Sequence, residues 1–151
     1  MATYDFTRLR RLLTIHLVVQ LGLVALLVAA AWLFQQKTGD RFLNSVIVSL
    51  FIQLGLFLPI KSLTAREVTR EVASSAQGLT PADLHALRRK RVTADVIKSS
   101  VFLFFLMFII RLPDNPVVLS IAYFTFILSW LSYFQCFNFA ARREMRAETG
   151  H

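Results

Sequence analysis

Five polar side chains stand out because they lie inside long apolar segments, where polar groups are rare and often functional. Three of them are glutamines, each six to eight residues from one end of its segment. At the rise of an α-helix the glutamines share one depth, about 9–12 Å inside. A histidine and an asparagine lie in the same half. This polar layer consists of His16, Gln20, Gln53, Gln135 and Asn138.

The sequence leaves two interpretations of the polar layer open. Amide side chains hydrogen-bond between helices in lipid, at about 0.6–2 kcal/mol each, so the layer can hold helices together. Three amides and a histidine could instead line a hydrated cavity open to one side. The two interpretations cannot be separated because the sequence does not determine the rotation of each helix.

The other chemistry-bearing residues argue against catalysis. The single cysteine, Cys136, cannot form an internal disulfide, and the chain has no motif of a phosphate loop, zinc protease or serine hydrolase. His16 is the only histidine in the apolar segments, so we expect no haem and no metal site. The aromatic residues of the last two segments are typical of lipid-facing surface, although they could line a quinone or carotenoid site. We expect a non-catalytic protein without a cofactor.

The segments that carry these residues predict membrane helices. Of 151 residues, 56% are hydrophobic and 17% are charged, with a mean hydropathy of +0.56. A soluble domain has roughly 25% charged residues. Four stretches contain no Asp, Glu, Lys or Arg: residues 12–36, 42–60, 99–110 and 115–141. This pattern excludes a soluble enzyme and a disordered chain, and predicts an all-α integral membrane four-helix bundle.

We place the spanning helices at about 12–34, 42–60, 96–112 and 116–141 of a single membrane domain, residues 1–151. Spanning the bilayer takes about 20 apolar residues. The third helix is short, since only 12 uncharged residues separate Lys98 from Arg111. Both cations must therefore reach toward the interfaces. Because no embedded residue is acidic, we do not expect a small proton-coupled multidrug exporter.

The positive charges predict the orientation. Fourteen of the 17 Lys and Arg residues lie in the N-terminal segment, the connection 61–98 and the tail 142–151. The positive-inside rule then places these parts in the cytoplasm of a bacterial inner membrane, with both termini inside. A cleaved secretory signal is an alternative for the N-terminal segment. We favour a spanning helix there because the apolar run continues through residues 32–34.

The connection 61–98 predicts a cytoplasmic antiparallel helical hairpin that extends the second and third spanning helices. The second helix is expected to continue past Pro59 and to stop before Gly78, a residue typical of helix ends. Thr80 and Pro81 have the residue types of an N-cap and a first helical position. The third helix is therefore expected to start near Pro81 and run directly into the bilayer.

The hairpin register predicts two charge pairs and one basic cluster. Glu67 should lie near Lys90, and Glu71 near residues 86–89. One interpretation of the cluster is a topology anchor that binds anionic lipid headgroups, at about 1 kcal/mol per charge. The other is a docking site for a cytoplasmic protein or ribosomal RNA, although we expect no nucleic acid because the net charge of +8 mostly reflects topology. The cluster consists of Arg88, Arg89, Lys90 and Arg91.

Two functional hypotheses follow from this topology. The first is an accessory subunit, assembly factor or scaffold that meets a protein partner through its hairpin, or a homo-oligomer. The second comes from a topological resemblance: helices two to four, with the hairpin between the first pair, resemble the three-helix core of Oxa1-superfamily insertases. That resemblance implies an insertase-like or channel-like protein with a polar cavity in its cytoplasmic half. The groove arginine of that family is missing, since Arg111 lies at the opposite face.

Overall fold

The computed structural model describes residues 4–149, and this part of the chain is helical apart from short turns. Three continuous helical stretches within it are long and apolar enough to cross a membrane: Thr7–Ala73, Pro81–Arg111 and Pro116–Glu148. The first stretch contains two helices joined by a 3-10 turn at Gly39–Arg41. The helices are α1 (Thr7–Thr38), α2 (Phe42–Ala73), α3 (Pro81–Arg111) and α4 (Pro116–Thr149).

Local sequence signals set the ends of α2 and α3 where we predicted them. Helix α2 continues through Pro59 and stops at Ala73. Gly78, in the turn that follows, has a φ of 90°, a conformation that residues with a β-carbon adopt at a cost. At the start of α3, the Thr80 hydroxyl accepts a hydrogen bond of 3.2 Å from the Asp83 amide. This side-chain cap satisfies an amide that would otherwise lack a partner.

Helix α4 is the centre of the molecule. It packs most extensively against α2 and next against α1, whereas α1 and α2 touch each other little. Small residues allow the close approach of α2 and α4, because fully buried serines line the contact. The Ser49 hydroxyl on α2 donates to the Ile121 carbonyl on α4 at 3.3 Å. The other two serines of this kind are Ser45 and Ser120.

Helix α3 is less tightly packed than the predicted four-helix bundle requires. Ile109 is its only buried residue. Its apolar half touches α4 through aromatic rings, with Phe102 at 5.5 Å from Phe126 and 5.8 Å from Trp130 between ring centroids. The fold is therefore a three-helix bundle of α1, α2 and α4, with α3 attached along one side.

The hairpin and the tail are also more structured than the sequence indicated. We name as the terminal end the part of the bundle that carries the chain termini and the α2–α3 turn. A hydrophobic core closes it, so the arm of α2 packs on α1 and α4 and does not project alone with α3. Helix α4 continues to Thr149, through most of the predicted tail; residues 150–151 lie outside the described residues. The core residues are Phe6, Leu9, Leu13, Val68, Val72, Phe137 and Ala141.

Candidate functional site

The terminal end contains a carboxylate held by three side chains from three directions. Glu67 on α2 accepts a hydrogen bond of 2.5 Å from the Lys98 ammonium on α3 and one of 2.6 Å from the Tyr133 hydroxyl on α4. Arg70 lies 3.8 Å away on the same helix as Glu67. Lys98 also contacts Asp95 at 2.9 Å. The Glu67 side chain is 14% exposed, so this charge is compensated inside the protein.

A second buried carboxylate lies one turn further along α2. Arg91 on α3 binds Glu71 through two parallel hydrogen bonds of 2.6 and 2.7 Å, the strongest geometry for this pair. The same guanidinium donates to the Ser74 hydroxyl at 3.0 Å. Long charged side chains therefore attach α3 to α2, since the two backbones make little direct contact.

These pairs differ from the predicted register. Glu67 contacts Lys98 instead of Lys90, and Glu71 contacts Arg91 instead of residues 86–89. Side chains on an α-helix lean toward the N-terminus of that helix. On α2 this lean points away from the α2–α3 turn, and on α3 it points toward the turn. A side chain of α2 therefore meets a residue of α3 that lies further from the turn than the residue at the same backbone height. The predicted pairs assumed equal backbone height and did not include this lean of the side chains.

The polar layer does not form one cluster, and its best-bonded member is Gln53. The Gln53 amide donates to the Ser132 hydroxyl at 2.8 Å and accepts from the Ser129 hydroxyl at 2.9 Å. Both serines lie on α4, so Gln53 joins α2 to α4 as the first interpretation predicts. His16 is buried elsewhere, with its ring 4.8 Å from that of Phe134.

Among the described residues, no other member of the polar layer makes a hydrogen bond with Gln53. Buried polar atoms of His16, Gln20 and Asn138 lack hydrogen-bond partners, namely Nδ1, Nε2 and Oδ1 respectively. Gln135 is exposed and lies beside a surface cavity with Lys61. Equal depth thus does not bring the three glutamines together, because Gln53 faces α4 whereas Gln135 is exposed.

The basic cluster divides into two parts. Arg91 turns inward to Glu71, as described above. The side chains of Arg88, Arg89 and Lys90 are exposed, and among residues 4–149 none of them makes a hydrogen bond or ion pair. We call these three residues the basic face. Its positive charge is therefore available to an external group.

Two cavities flank the Glu67 network, and both contact Glu67, Lys98 and Tyr133. The polar cavity, about 310 Å³, is also lined by Arg8, Arg11, His16, Arg91, Asp95 and Phe137. The apolar cavity, about 380 Å³, lies between α2, α3 and α4. The site therefore presents compensated charge at its centre, excess cations toward α1 and an apolar groove toward α3.

The buried position of Glu71 and the half-buried position of Glu67 were not predicted from the sequence, although a signal existed for the first. Thr64, Val68 and Val72 form a buried stripe on α2, and Glu71 falls on it by helical spacing. A charged residue on a buried stripe needs a partner of opposite charge, so this pattern indicates an ion pair with a cation on α3. Tyr133 carried no comparable signal because it lies within an apolar segment.

The site does not resemble a metal centre. Among residues 4–149 no three His, Cys, Asp or Glu side chains come together as a group that could hold a metal ion. Comparisons with protein-family models, curated proteins and solved structures give no match.

We expect Gln53→Leu to lower the stability of the protein in detergent by about 1–2 kcal/mol, because both hydrogen bonds from Gln53 to α4 are lost and the Ser132 hydroxyl is left without this partner. Gln53→Asn should retain part of this stability. Gln135→Leu is the matched control, since Gln135 is exposed and its loss should have little effect. Thermal unfolding followed by tryptophan fluorescence measures the difference. A stable Gln53→Leu variant that loses water accessibility at this depth would instead support a hydrated cavity.

Proposed function

We propose that this chain is a small, non-catalytic, multi-pass protein of the bacterial inner membrane, with four spanning helices and both termini in the cytoplasm. The exposure of its apolar residues supports a lipid environment. Large hydrophobic side chains such as Leu54, Phe104 and Ile110 are 68–71% exposed. A water-soluble monomer rarely exposes such continuous apolar surface. The excess of Lys and Arg at the terminal end supports the orientation.

Cysteine labelling tests this topology. In a Cys136→Ser background, a membrane-impermeant maleimide should label Thr38→Cys and Asn115→Cys in intact cells. Gln77→Cys should be labelled only after the membrane is opened, because the α2–α3 turn is inside. Labelling of Gln77→Cys in intact cells would contradict the proposed orientation.

We further propose that the protein is an accessory subunit, assembly factor or scaffold that binds an acidic surface of a cytoplasmic partner. The observation that carries this proposal is the basic face: three adjacent cations on α3 without internal partners, beside Arg91, whose charge Glu71 compensates. The hydrophobic core of the terminal end contains residues of α2, so it holds in place the helix to which Arg91 is bound. Complementary charge raises the rate and specificity of association, so an ordered cationic surface suits a docking role.

Charge removal tests the docking role. Arg88→Gln combined with Arg89→Gln and Lys90→Gln should weaken partner binding roughly tenfold at low salt, with a smaller difference at high salt, where charges are screened. The control removes the same charge from the same end of the molecule. It combines Arg10→Gln, Arg142→Gln and Arg143→Gln, three exposed positions away from α3. Co-purification from membranes at two salt concentrations measures the effect. If both variants keep every partner, the basic face is only a topology anchor.

The polar cavity supports a second candidate function, an insertase-like or channel-like protein. Its cations Arg8 and Arg11 lie on α1 and its carboxylates on α2 and α3, so it could receive polar groups from the cytoplasm. Suppose that a variant with Arg8→Gln and Arg11→Gln keeps all partners but no longer supports the cellular phenotype of the parent protein. That result would favour this candidate over docking.

A further inference from the structure

The apolar cavity changes polarity along its length. At one end it is lined by the rings of Phe105, Phe126 and Trp130. At the other end it is bordered by Arg66 and Arg70 on α2. On α3 the lining extends from Phe105 to Ala94, 11 residues or about 16 Å along the helix. The groove is therefore a long apolar slot with two cations at its terminal end.

These two arginines have unused hydrogen-bonding capacity. Arg66 is exposed and makes no hydrogen bond or ion pair within the described part of the chain. Arg70 donates one hydrogen bond, to the Lys90 carbonyl at 3.2 Å, and lies 3.8 Å from the Glu67 carboxylate, whereas its Nε has no partner. A guanidinium carries five N–H donors in a planar arrangement that fits a phosphate with two parallel bonds. Both guanidinium groups can therefore donate hydrogen bonds to an external oxyanion.

Glu67 lies beside the arginines, but its charge does not oppose an anion there. Lys98 and Tyr133 already occupy the Glu67 carboxylate at 2.5 and 2.6 Å. The local excess of charge is thus positive, because Lys98 and Arg70 balance Glu67 and Asp95, and Arg66 adds one further cation. A negatively charged headgroup complements this end of the groove.

The dimensions of the groove select a chain-like occupant. Its volume of about 380 Å³ lies in the range of small-molecule pockets. A helix of about 10 Å diameter would fill roughly 1,200 Å³ over the same length, so a transmembrane helix of a partner does not fit inside it. A single acyl chain fits a narrow apolar slot of this kind, and the phosphate joined to it would reach the arginines.

We infer that this groove binds one anionic glycerophospholipid, with an acyl chain between α2, α3 and α4 and its phosphate at Arg66 and Arg70. The inference takes from the proposed function only that the helices lie in a bilayer. It does not involve the basic face. A bound lipid would also fill the gap between α3 and the rest of the bundle, where protein contacts are few.

Native mass spectrometry of the delipidated full chain tests the inference. Phosphatidylglycerol should bind at a stoichiometry of one, at least tenfold tighter than phosphatidylcholine with the same acyl chains. Glycerol phosphate, which has the oxyanion without the chains, should not bind. Arg66→Gln with Arg70→Gln should abolish the preference for phosphatidylglycerol, whereas Arg88→Gln with Arg89→Gln, an equal loss of charge, should leave it unchanged. Val101→Trp fills the groove and should remove binding of both lipids.

Three results would overturn the inference. If the Arg66/Arg70 and Arg88/Arg89 double variants lose phosphatidylglycerol binding equally, the overall charge of the protein attracts the lipid. Unchanged binding by Val101→Trp would place the lipid elsewhere, and binding of glycerol phosphate would mean that no acyl chain is recognised. The single variant Arg66→Gln removes no internal contact, so it gives the same answer if the double variant unfolds. The two proposals are tested separately, because a variant of Arg88 and Arg89 can lose its protein partner and still bind the lipid.

Discussion

Glu71→Ala should lower the free energy of unfolding by about 3–4 kcal/mol, a value typical of removing one partner from a buried ion pair. The Glu71 side chain is 10% exposed and that of Arg91 is 18% exposed, so the remaining guanidinium would be left in a poorly hydrated place. Ser74 would be its one remaining partner among the described side chains. Thermal or denaturant unfolding in a fixed detergent measures the change. Increased protease cleavage within residues 81–98 should accompany it, because this pair holds α3 to α2.

A double variant serves as the control for this ion pair. Glu71→Leu with Arg91→Leu removes both charges together, and such replacements are often neutral or stabilising. We expect it to recover most of the stability that Glu71→Ala loses. If Glu71→Ala changes stability by less than about 0.5 kcal/mol, the range of ordinary surface substitutions, the pair does not hold α3 in place.

Phe137→Ala should lower the free energy of unfolding by about 3–5 kcal/mol, as truncation of a buried phenylalanine does in other cores. Phe137 is 1% exposed and lies in the core of the terminal end. Its ring also packs edge-on against His16, with 4.7 Å between centroids. The vacated space would join the polar cavity, which Phe137 already lines. Water entering there would meet the unpartnered Nδ1 of His16.

Phe139 provides the matched control on the same helix. It lies two residues further along α4 and is 74% exposed, so Phe139→Ala should change stability by less than about 0.5 kcal/mol. The same unfolding measurement applies to both variants. Equal effects at the two positions would mean that α4 does not turn Phe137 toward a packed interior.

Local chemistry made the helix ends predictable. The N-cap of Thr80, the proline after it and the glycine in the preceding turn each favour a conformation over a few residues, independent of the rest of the chain. These signals set the start of α3 and the turn before it, as the structure confirms. The all-helical class followed from the long uncharged segments in the same way.

Helix rotation was not predictable, and the candidate site depends on it. Gln53 and Gln135 have the same side chain at similar predicted depth, yet one is bonded to α4 and the other is exposed. In a largely apolar helix the hydrophobic pattern does not distinguish the side that packs on other helices from the side that stays exposed. For that reason the members of the polar layer are evident in the sequence, but the contacts between them are not. The Glu67 network, which joins three helices, was missed for the same reason.

The position of α4 at the centre of the bundle has a consequence for biogenesis. During translation α1, α2 and α3 are complete before residue 116 is added, and these three helices make few contacts with one another. The Gln53 amide therefore has no serine partner until the final helix is present, since Ser129 and Ser132 both lie on α4. Until then ion pairs join α3 to α2, but the surfaces of α1 and α2 that α4 covers in the complete chain remain exposed. Stop codons before Pro116 should thus yield fragments that the cell degrades, even though each completed helix keeps its own backbone hydrogen bonds.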